Sequence, residues 1–277
     1  MIQSIKVLMI GDIIGKPGRL AIQKLLPRIV AKSDVDLVIA NGENVAGGLG
    51  ITIETARKIF SCGVDVITTG NHVWKHKKVY DYLDEEHRIL RPANYPVQNP
   101  GRGWGVYTTS GGVKIGVLNL NGRVFMDPLN CPFSEADRAI KEMRTETSSI
   151  IVDFHAEASS EKQAMGWHLD GLVSLVAGTH THVQTADERI LPGGTGYITD
   201  IGMTGPMDSV IGMQRDAALL RLLYAMPSSM KPARKNIQLH GALARIDSGT
   251  GKCTGIERIS RKLDSTHPDG DDSSDNP

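Results

Sequence analysis

A chain of 277 residues is long enough for one large domain or two small ones, each with a buried core. Its 31 lysines and arginines equal its 31 aspartates and glutamates, so no overall basic field would hold a nucleic acid duplex and a small substrate is expected. Three widely separated cysteines favour neither a disulfide framework nor a zinc-thiolate site, which fits a reducing compartment. No stretch resembles a secretory signal or a membrane helix, so we expect a cytoplasmic protein without a membrane partner.

Short runs rich in valine and isoleucine recur along the chain, and each of them ends at a turn. Their hydrophobicity is continuous rather than alternating, which predicts strands that are covered on both faces. The runs are 6–10, 36–40, 65–69, 114–120, 149–154, 172–177 and 197–201. Segments 20–30 and 217–223 have apolar residues at three- and four-residue spacing, so strands and helices alternate and the fold class is α/β.

Local signals mark helix starts, one hairpin and the end of the domain. Thr52 and Ser134 each precede a first turn with a glutamate, a pattern close to a capping box. Segments 238–247 and 253–261 flank a Ser-Gly-Thr-Gly turn, which predicts an antiparallel hairpin and therefore a mixed sheet. The chain loses its apolar residues from Asp264 onward, so we predict one domain over 1–263 and a disordered polar tail over 264–277.

Metal-binding residue types follow five of the predicted strands. They are Asp12; Asn41, Glu43 and Asn44; Asn71 and His72; His155; and His180 and His182. Parallel strands end at the same edge of a sheet, so residues that are far apart in the chain meet there. Carboxylates, amides and imidazoles without a thiolate suit iron, manganese or zinc. Glu43, which has two oxygens to share, is our candidate for a ligand common to two ions.

Each of these residues also has an ordinary structural interpretation. Asp12 could cap a helix or form a turn, and Asn71 could be a turn residue. His155 could be a core histidine with satisfied hydrogen bonds, and exposed His-x-His pairs such as His180 and His182 also occur by chance. The coincidence at five strand ends favours a metal site over these separate explanations.

Several longer strings carry a family resemblance. They are Gly-Asp-Ile-Ile-Gly-Lys-Pro-Gly from Gly11, Asn-Gly-Glu-Asn from Asn41, Thr-Gly-Asn-His-Val-Trp from Thr69, Gly-Arg-Val-Phe-Met from Gly122, Gly-Thr-His-Thr-His from Gly178 and Asp-Ile-Gly-Met-Thr-Gly-Pro from Asp200. In this order, up to about Leu263, the sequence resembles the YmdB-like branch of the calcineurin-like metallophosphoesterases. The Asp-x-His that is usual in that superfamily is absent, since Asp12 is followed by two isoleucines, and this departure matches the branch.

The resemblance implies a four-layer αββα metallophosphoesterase sandwich with mixed sheets. It also implies a cyclic nucleotide phosphodiesterase, active on substrates such as 2',3'-cAMP, with two divalent or trivalent ions per chain; iron is expected, and manganese, zinc or magnesium are alternatives. One ion would be bound by Asp12, Glu43, Asn44 and His182, and the other by Glu43, Asn71, His155 and His180. Attack would come from a metal-bridging hydroxide. His72 would stand free of the metals as the general acid, or would only orient Asn71.

Other interpretations stay open on the sequence alone. A phosphomonoesterase or 5'-nucleotidase would use the same metals, and a non-catalytic nucleotide- or metal-responsive regulator would bind without turnover. Short RNA is an alternative substrate, and a homo-oligomer is compatible with the sequence. Arg123 could clamp a phosphate or form a surface salt bridge. The segment 202–206 is expected to be a loop that shapes the pocket or a subunit contact.

Overall fold

A computed structural model describes residues 4–264, so the predicted tail lies, apart from Asp264, outside the described residues. The helices are α1 (Gly15–Ser33), α2 (Ile53–Ser61), α3 (Tyr80–Glu85), α4 (Pro132–Met143), α5 (Ser159–His168) and α6 (Arg215–Tyr224). The strands are β1 (Ser4–Ile10), β2 (Asp12–Ile13), β3 (Leu37–Asn41), β4 (Val66–Thr68), β5 (Ile89–Leu90), β6 (Trp104–Thr108), β7 (Lys114–Asn121), β8 (Ile150–His155), β9 (Leu175–Thr179), β10 (Arg189–Ile190), β11 (Gly196–Ile198), β12 (Met203–Pro206), β13 (Ile237–Asp247) and β14 (Cys253–Lys262).

The strands form two mixed sheets, as predicted. The first has the order β2-β12-β13-β1-β3-β4-β5, with β14 paired to β13. In it β1, β3, β4 and β5 are parallel, and β13 runs antiparallel to β1. The second has the order β10-β11-β9-β8-β7-β6, and its central strands β7, β8, β9 and β11 are parallel. The parallel strands of each sheet therefore bring their carboxyl ends to one edge.

The two sheets pack face to face with helices outside them, which confirms the αββα sandwich. In β1, Val7 and Met9 belong to a buried cluster with Ile151 of the second sheet. Leu8 and Ile10 belong to another cluster, which includes the apolar side chains of α1 and α2. A third cluster joins the other face of the second sheet to α4 and α5. Burial on both faces explains the continuous hydrophobicity of the strands.

Local signals succeeded at one helix and at the hairpin but failed at two other places. Thr52 caps α2, because its hydroxyl accepts from the Thr55 amide at 3.3 Å. The predicted cap at Ser134 is wrong: the N-cap of α4 is Cys131, three residues earlier, and the helix begins at Pro132, whose fixed φ suits a first helical position. The predicted loop over 202–206 is wrong as well, because Met203–Pro206 is the buried strand β12. It pairs with β2, and Met203 lies opposite Asp12.

Within the described residues, none of the helices combines the length and the apolar character that crossing a membrane requires.

Candidate metal centre

The predicted metal ligands come from both sheets and meet where the parallel strands end. From the first sheet, β1 leads through Gly11 to Asp12, β3 leads to Glu43 and Asn44, and β4 leads to Asn71. From the second sheet, His155 is the last residue of β8, and His180 and His182 follow β9. The sandwich therefore brings together ligands that are widely separated in the sequence.

Glu43 belongs to two groups of side chains whose atoms could bind a metal ion. One group combines Glu43 with His155 and His180, and in each group the donor atoms lie within 4.8 Å of one another. His155 Nε2 is 3.1 Å from Glu43 Oε2 and 3.0 Å from His180 Nδ1. The Asn71 side-chain oxygen is a fourth metal-binding atom, 3.1 Å from His155 Nε2. This geometry is compatible with an ion among Glu43, Asn71, His155 and His180.

The second group combines Glu43 with Asp12 and His182. His182 Nε2 lies 3.7 Å from Asp12 Oδ1 and 3.3 Å from the Asn44 side-chain nitrogen. A half-turn of that amide would bring its oxygen to the same position. Asp12 Oδ1 is buried and has no hydrogen-bond partner. An unpartnered buried carboxylate oxygen is costly, and a bound cation would satisfy it, so these residues fit a metal ion.

Burial and mutual charge shift the pKa values of the cluster. Burial raises the pKa of Asp12. Burial also opposes the charge on Glu43, but the neighbouring His155 and His72 outweigh it and hold the Glu43 pKa well below its usual range. Burial disfavours a charged His155 too, yet attraction by Glu43 and Asp12 raises its pKa to about 9. Burial, aided by the charge of His155, lowers the pKa of His180 to about 3. The shifts at Glu43 and His155 thus reflect attraction between opposite charges, whereas burial is the largest cause of those at Asp12 and His180.

The segment that carries His180 and His182 has an unusual backbone. Both residues have positive φ, 95° for His180 and 65° for His182, a region of backbone conformation that residues other than glycine seldom adopt. Thr181 between them is fixed by Asp200, whose Oδ2 accepts from the Thr181 amide at 3.1 Å and from its hydroxyl at 2.6 Å. Lys162 donates to the same oxygen at 2.7 Å. This buried ion pair therefore holds the strained segment.

A second buried carboxylate lies behind His155. The Thr179 hydroxyl is 2.9 Å from His155 Nδ1 and donates to Asp153 Oδ1 at 2.7 Å. Because that hydroxyl donates its proton to Asp153, it accepts a hydrogen bond from His155 Nδ1. The other ring nitrogen, Nε2, is then directed toward the other metal-binding atoms. Asn41 and Thr68 also donate to Asp153, and burial raises its pKa to about 6. Asp153 and Thr179 thus fix the orientation of His155.

Sequence reasoning missed Asp153, Asp200 and Lys162. The signal for Asp153 was present, because a lone carboxylate in the strand Ile-Ile-Val-Asp-Phe-His is a buried polar group that needs partners. Lys162 gave no such signal, since a lysine in a short helix is usually exposed. Only the fold shows that its ammonium lies within a buried ion pair.

His72 and Arg123 are the two residues for which the sequence suggested a role other than metal binding. His72 Nδ1 is 2.9 Å from the Asn44 side-chain oxygen and 3.2 Å from Glu43 Oε1, and the side chain is 25% exposed. Its contacts are therefore with Asn44 and Glu43. The Arg123 backbone amide donates to Glu161 at 3.1 Å. Among residues 4–264, the Arg123 guanidinium forms no ion pair, so the surface salt bridge considered for it is not present there.

Comparison with known proteins identifies the family of the chain. A model of the YmdB-like protein family matches residues 8–259. A Bacillus subtilis (strain 168) protein named 2',3'-cyclic-nucleotide 2'-phosphodiesterase is 45% identical over 92% of this chain and 96% of its own. The structure of a Thermus thermophilus protein described as hypothetical is 40% identical, with a TM-score of 0.87, and the match covers 93% of this chain and 99% of that one. The structure of a Mycoplasma pneumoniae protein described as a novel phosphatase is 34% identical, with a TM-score of 0.89 and 95% of each chain covered. The chain belongs to the YmdB-like family, as its motifs indicate.

Proposed function

We propose that the protein is a metal-dependent phosphodiesterase that hydrolyses cyclic nucleotides such as 2',3'-cAMP at a centre of two ions. The observation that carries the proposal is the pair of donor groups that share Glu43. The name of the Bacillus subtilis relative supports the substrate class. We assign seven metal ligands: Asp12, Glu43, Asn44, Asn71, His155, His180 and His182.

The donor set suits iron, with manganese, zinc or magnesium as alternatives, because it combines imidazoles with oxygen donors and contains no thiolate. Two bound ions would neutralise the phosphate oxygens and supply a bridging hydroxide as the attacking group. The chain itself fixes the donors: Thr179 and Asp153 orient His155, and Asp200 holds the segment of His180 and His182.

His72 is the residue that we assign to proton transfer. Its Nδ1 is held by Asn44 and Glu43, while Nε2 makes no hydrogen bond or ion pair with the described part of the chain. The imidazole is partly open to solvent and sits beside the donors. In its imidazolium form, with Nδ1–H directed at Asn44 and Glu43, His72 can present the Nε2 proton to the alkoxide that leaves phosphorus, a contribution of about 10²- to 10⁴-fold in general acid catalysis.

The test is metal analysis of the protein as purified, together with turnover of 2',3'-cyclic and 3',5'-cyclic nucleotides and of RNA that ends in a 2',3'-cyclic phosphate. We expect about two ions per chain. The His72→Ala variant should keep its metals and lose about 10²- to 10⁴-fold in turnover. His168→Ala is the matched control, because His168 binds Asp137 on the surface, and it should behave as wild type.

A phosphomonoesterase is the second candidate, because the Mycoplasma pneumoniae relative is described as a phosphatase. Relative rates on bis-p-nitrophenyl phosphate and p-nitrophenyl phosphate distinguish the two, since a monoesterase prefers the dianionic terminal phosphate. If the metal-loaded protein hydrolysed neither, a regulator that binds without turnover would replace both enzymatic proposals.

A further inference from the structure

Phe125 is the most exposed large apolar side chain in the part of the chain that the structure describes, with 89% of its surface open. It lies between β7 and α4, in the segment Gly-Arg-Val-Phe-Met. The other three phenylalanines of the sequence behave differently. Phe154 is buried, and Phe60 and Phe133 pack against core clusters. Among residues 4–264, no packing interaction explains why this aromatic ring is exposed to solvent.

The backbone around Phe125 is fixed in a form that presents the ring. Phe125 has φ of 61°, in the left-handed region that a phenylalanine rarely adopts. Glu161, which is 7% exposed, accepts from the Arg123 amide at 3.1 Å and from the Val124 amide at 3.2 Å. The Met126 amide donates to the Arg123 carbonyl at 3.2 Å and closes the turn. A strained turn held by a buried carboxylate indicates a function for its tip.

The turn is attached to the metal centre. The Gly122 amide donates to the carbonyl of His155, one of the assigned ligands, at 2.9 Å. Three residues of chain span at most about 11 Å, so the Phe125 backbone lies within that distance of the contact. A nucleotide whose phosphate binds at the centre extends its base over a distance of this order. In the sequence, Arg123 lies between Gly122 and Phe125, and its guanidinium forms no ion pair among the described residues.

We propose that Phe125 is the platform on which the substrate's nucleobase stacks, an inference that rests on the proposed cyclic nucleotide hydrolysis. Stacking accepts every base, because each has a π face, and it favours the larger purines. The site therefore recognises cyclic nucleotides as a class, through the phosphate at the ions and the base on Phe125.

The test compares Phe125→Ala and Phe125→Trp with Leu222→Ala, a control at another apolar residue that is 74% exposed. Each is assayed on 2',3'-cAMP and on glycerol 1,2-cyclic phosphate, which has no base. We expect Phe125→Ala to raise KM for 2',3'-cAMP by about 5- to 150-fold, the range of stacking on one base, with kcat retained. Its kinetics on the base-free substrate should not change, and Phe125→Trp should keep the wild-type KM.

Binding of adenosine 3'-monophosphate to the metal-loaded protein, measured by calorimetry, separates this inference from the proposed function. A weaker Kd in Phe125→Ala by a similar factor supports the platform even if the wild type hydrolyses no cyclic nucleotide, a result that would end the proposed function alone. Equal losses on both substrates, or an unchanged KM and Kd, would overturn the platform.

Discussion

The buried pair of Lys162 and Asp200 offers a sharp test of how the histidine segment is held. Lys162 is 1% exposed and Asp200 is fully buried. Replacing Asp200 by asparagine keeps the shape and one acceptor oxygen for Thr181, but it removes the negative charge and the oxygen that accepts from the Gly202 amide at 2.8 Å. The Lys162 ammonium would then remain buried, with only the Thr181 hydroxyl, 3.5 Å away, as a further polar contact.

Removing one member of a buried ion pair typically costs about 3–5 kcal/mol, because the remaining charge is left uncompensated in a poorly solvated site. For a domain of this size, that loss corresponds to a fall in Tm of about 6 to 20 °C. The double variant Lys162→Met/Asp200→Asn removes both charges, so it should be more stable than Asp200→Asn alone. Asp200→Asn should also bind metal more weakly, since Thr181 would hold its neighbours less firmly.

The assay is urea unfolding of the wild type, both single variants and the double variant, which gives the free energy of unfolding and the coupling between the two sites. Asp187→Asn is the control, because Asp187 accepts from Thr185 and Thr199 but its partners are neutral. A loss below about 1 kcal/mol in Asp200→Asn, or simple additivity in the double variant, would refute the reasoning.

Three further predictions concern the metals directly. Glu43→Gln should reduce the metal content from about two ions per chain to one or none by elemental analysis, because an amide has a single ligating oxygen; two retained ions would contradict a shared Glu43. Gly70→Ala should abolish metal binding without unfolding the chain, measured by elemental analysis and circular dichroism, because its Cβ would overlap the His155 ring and Glu43 Oε2. His155, whose pKa is raised to about 9, is protonated at neutral pH before metal binds, so binding should release a proton and strengthen as pH rises toward that value. Calorimetry in buffers of different ionisation enthalpy measures that proton, and no release would refute it.

The sequence predicted most of the parallel strands because burial on both faces leaves a simple signal. The run 114–120 became β7, Lys114–Asn121, and 149–154 became β8, Ile150–His155. Helix periodicity was less informative about packing. The segment 217–223 does lie in α6, yet Ala218 is its buried residue, while Leu222 and Leu223 are 74% and 68% exposed. Periodicity shows that a helix has an apolar face but not what that face contacts.

Strand β12 shows why pairing between distant segments is harder to predict. Its glycine and proline favour a loop when only neighbouring residues are considered. In the fold, Met203–Pro206 is enclosed by β2 and β13, and the pairing of Met203 with Asp12 helps to place an assigned ligand. The strand exists because two partners from the ends of the chain offer hydrogen bonds, a long-range condition that local composition does not contain.

Asp153, near the metal centre, is a second feature that depends on contact with another strand. The residues at strand ends could be predicted because each follows an apolar run in the sequence. The groups that orient them lie inside the strands, where no such pattern marks them. Asp153 is two residues before His155, so both side chains point to the same face of β8, between the sheets. There the Thr179 hydroxyl from β9 connects them. A polar residue two positions before a candidate ligand, within an otherwise apolar strand, is therefore the signal by which such an orienting group could be predicted.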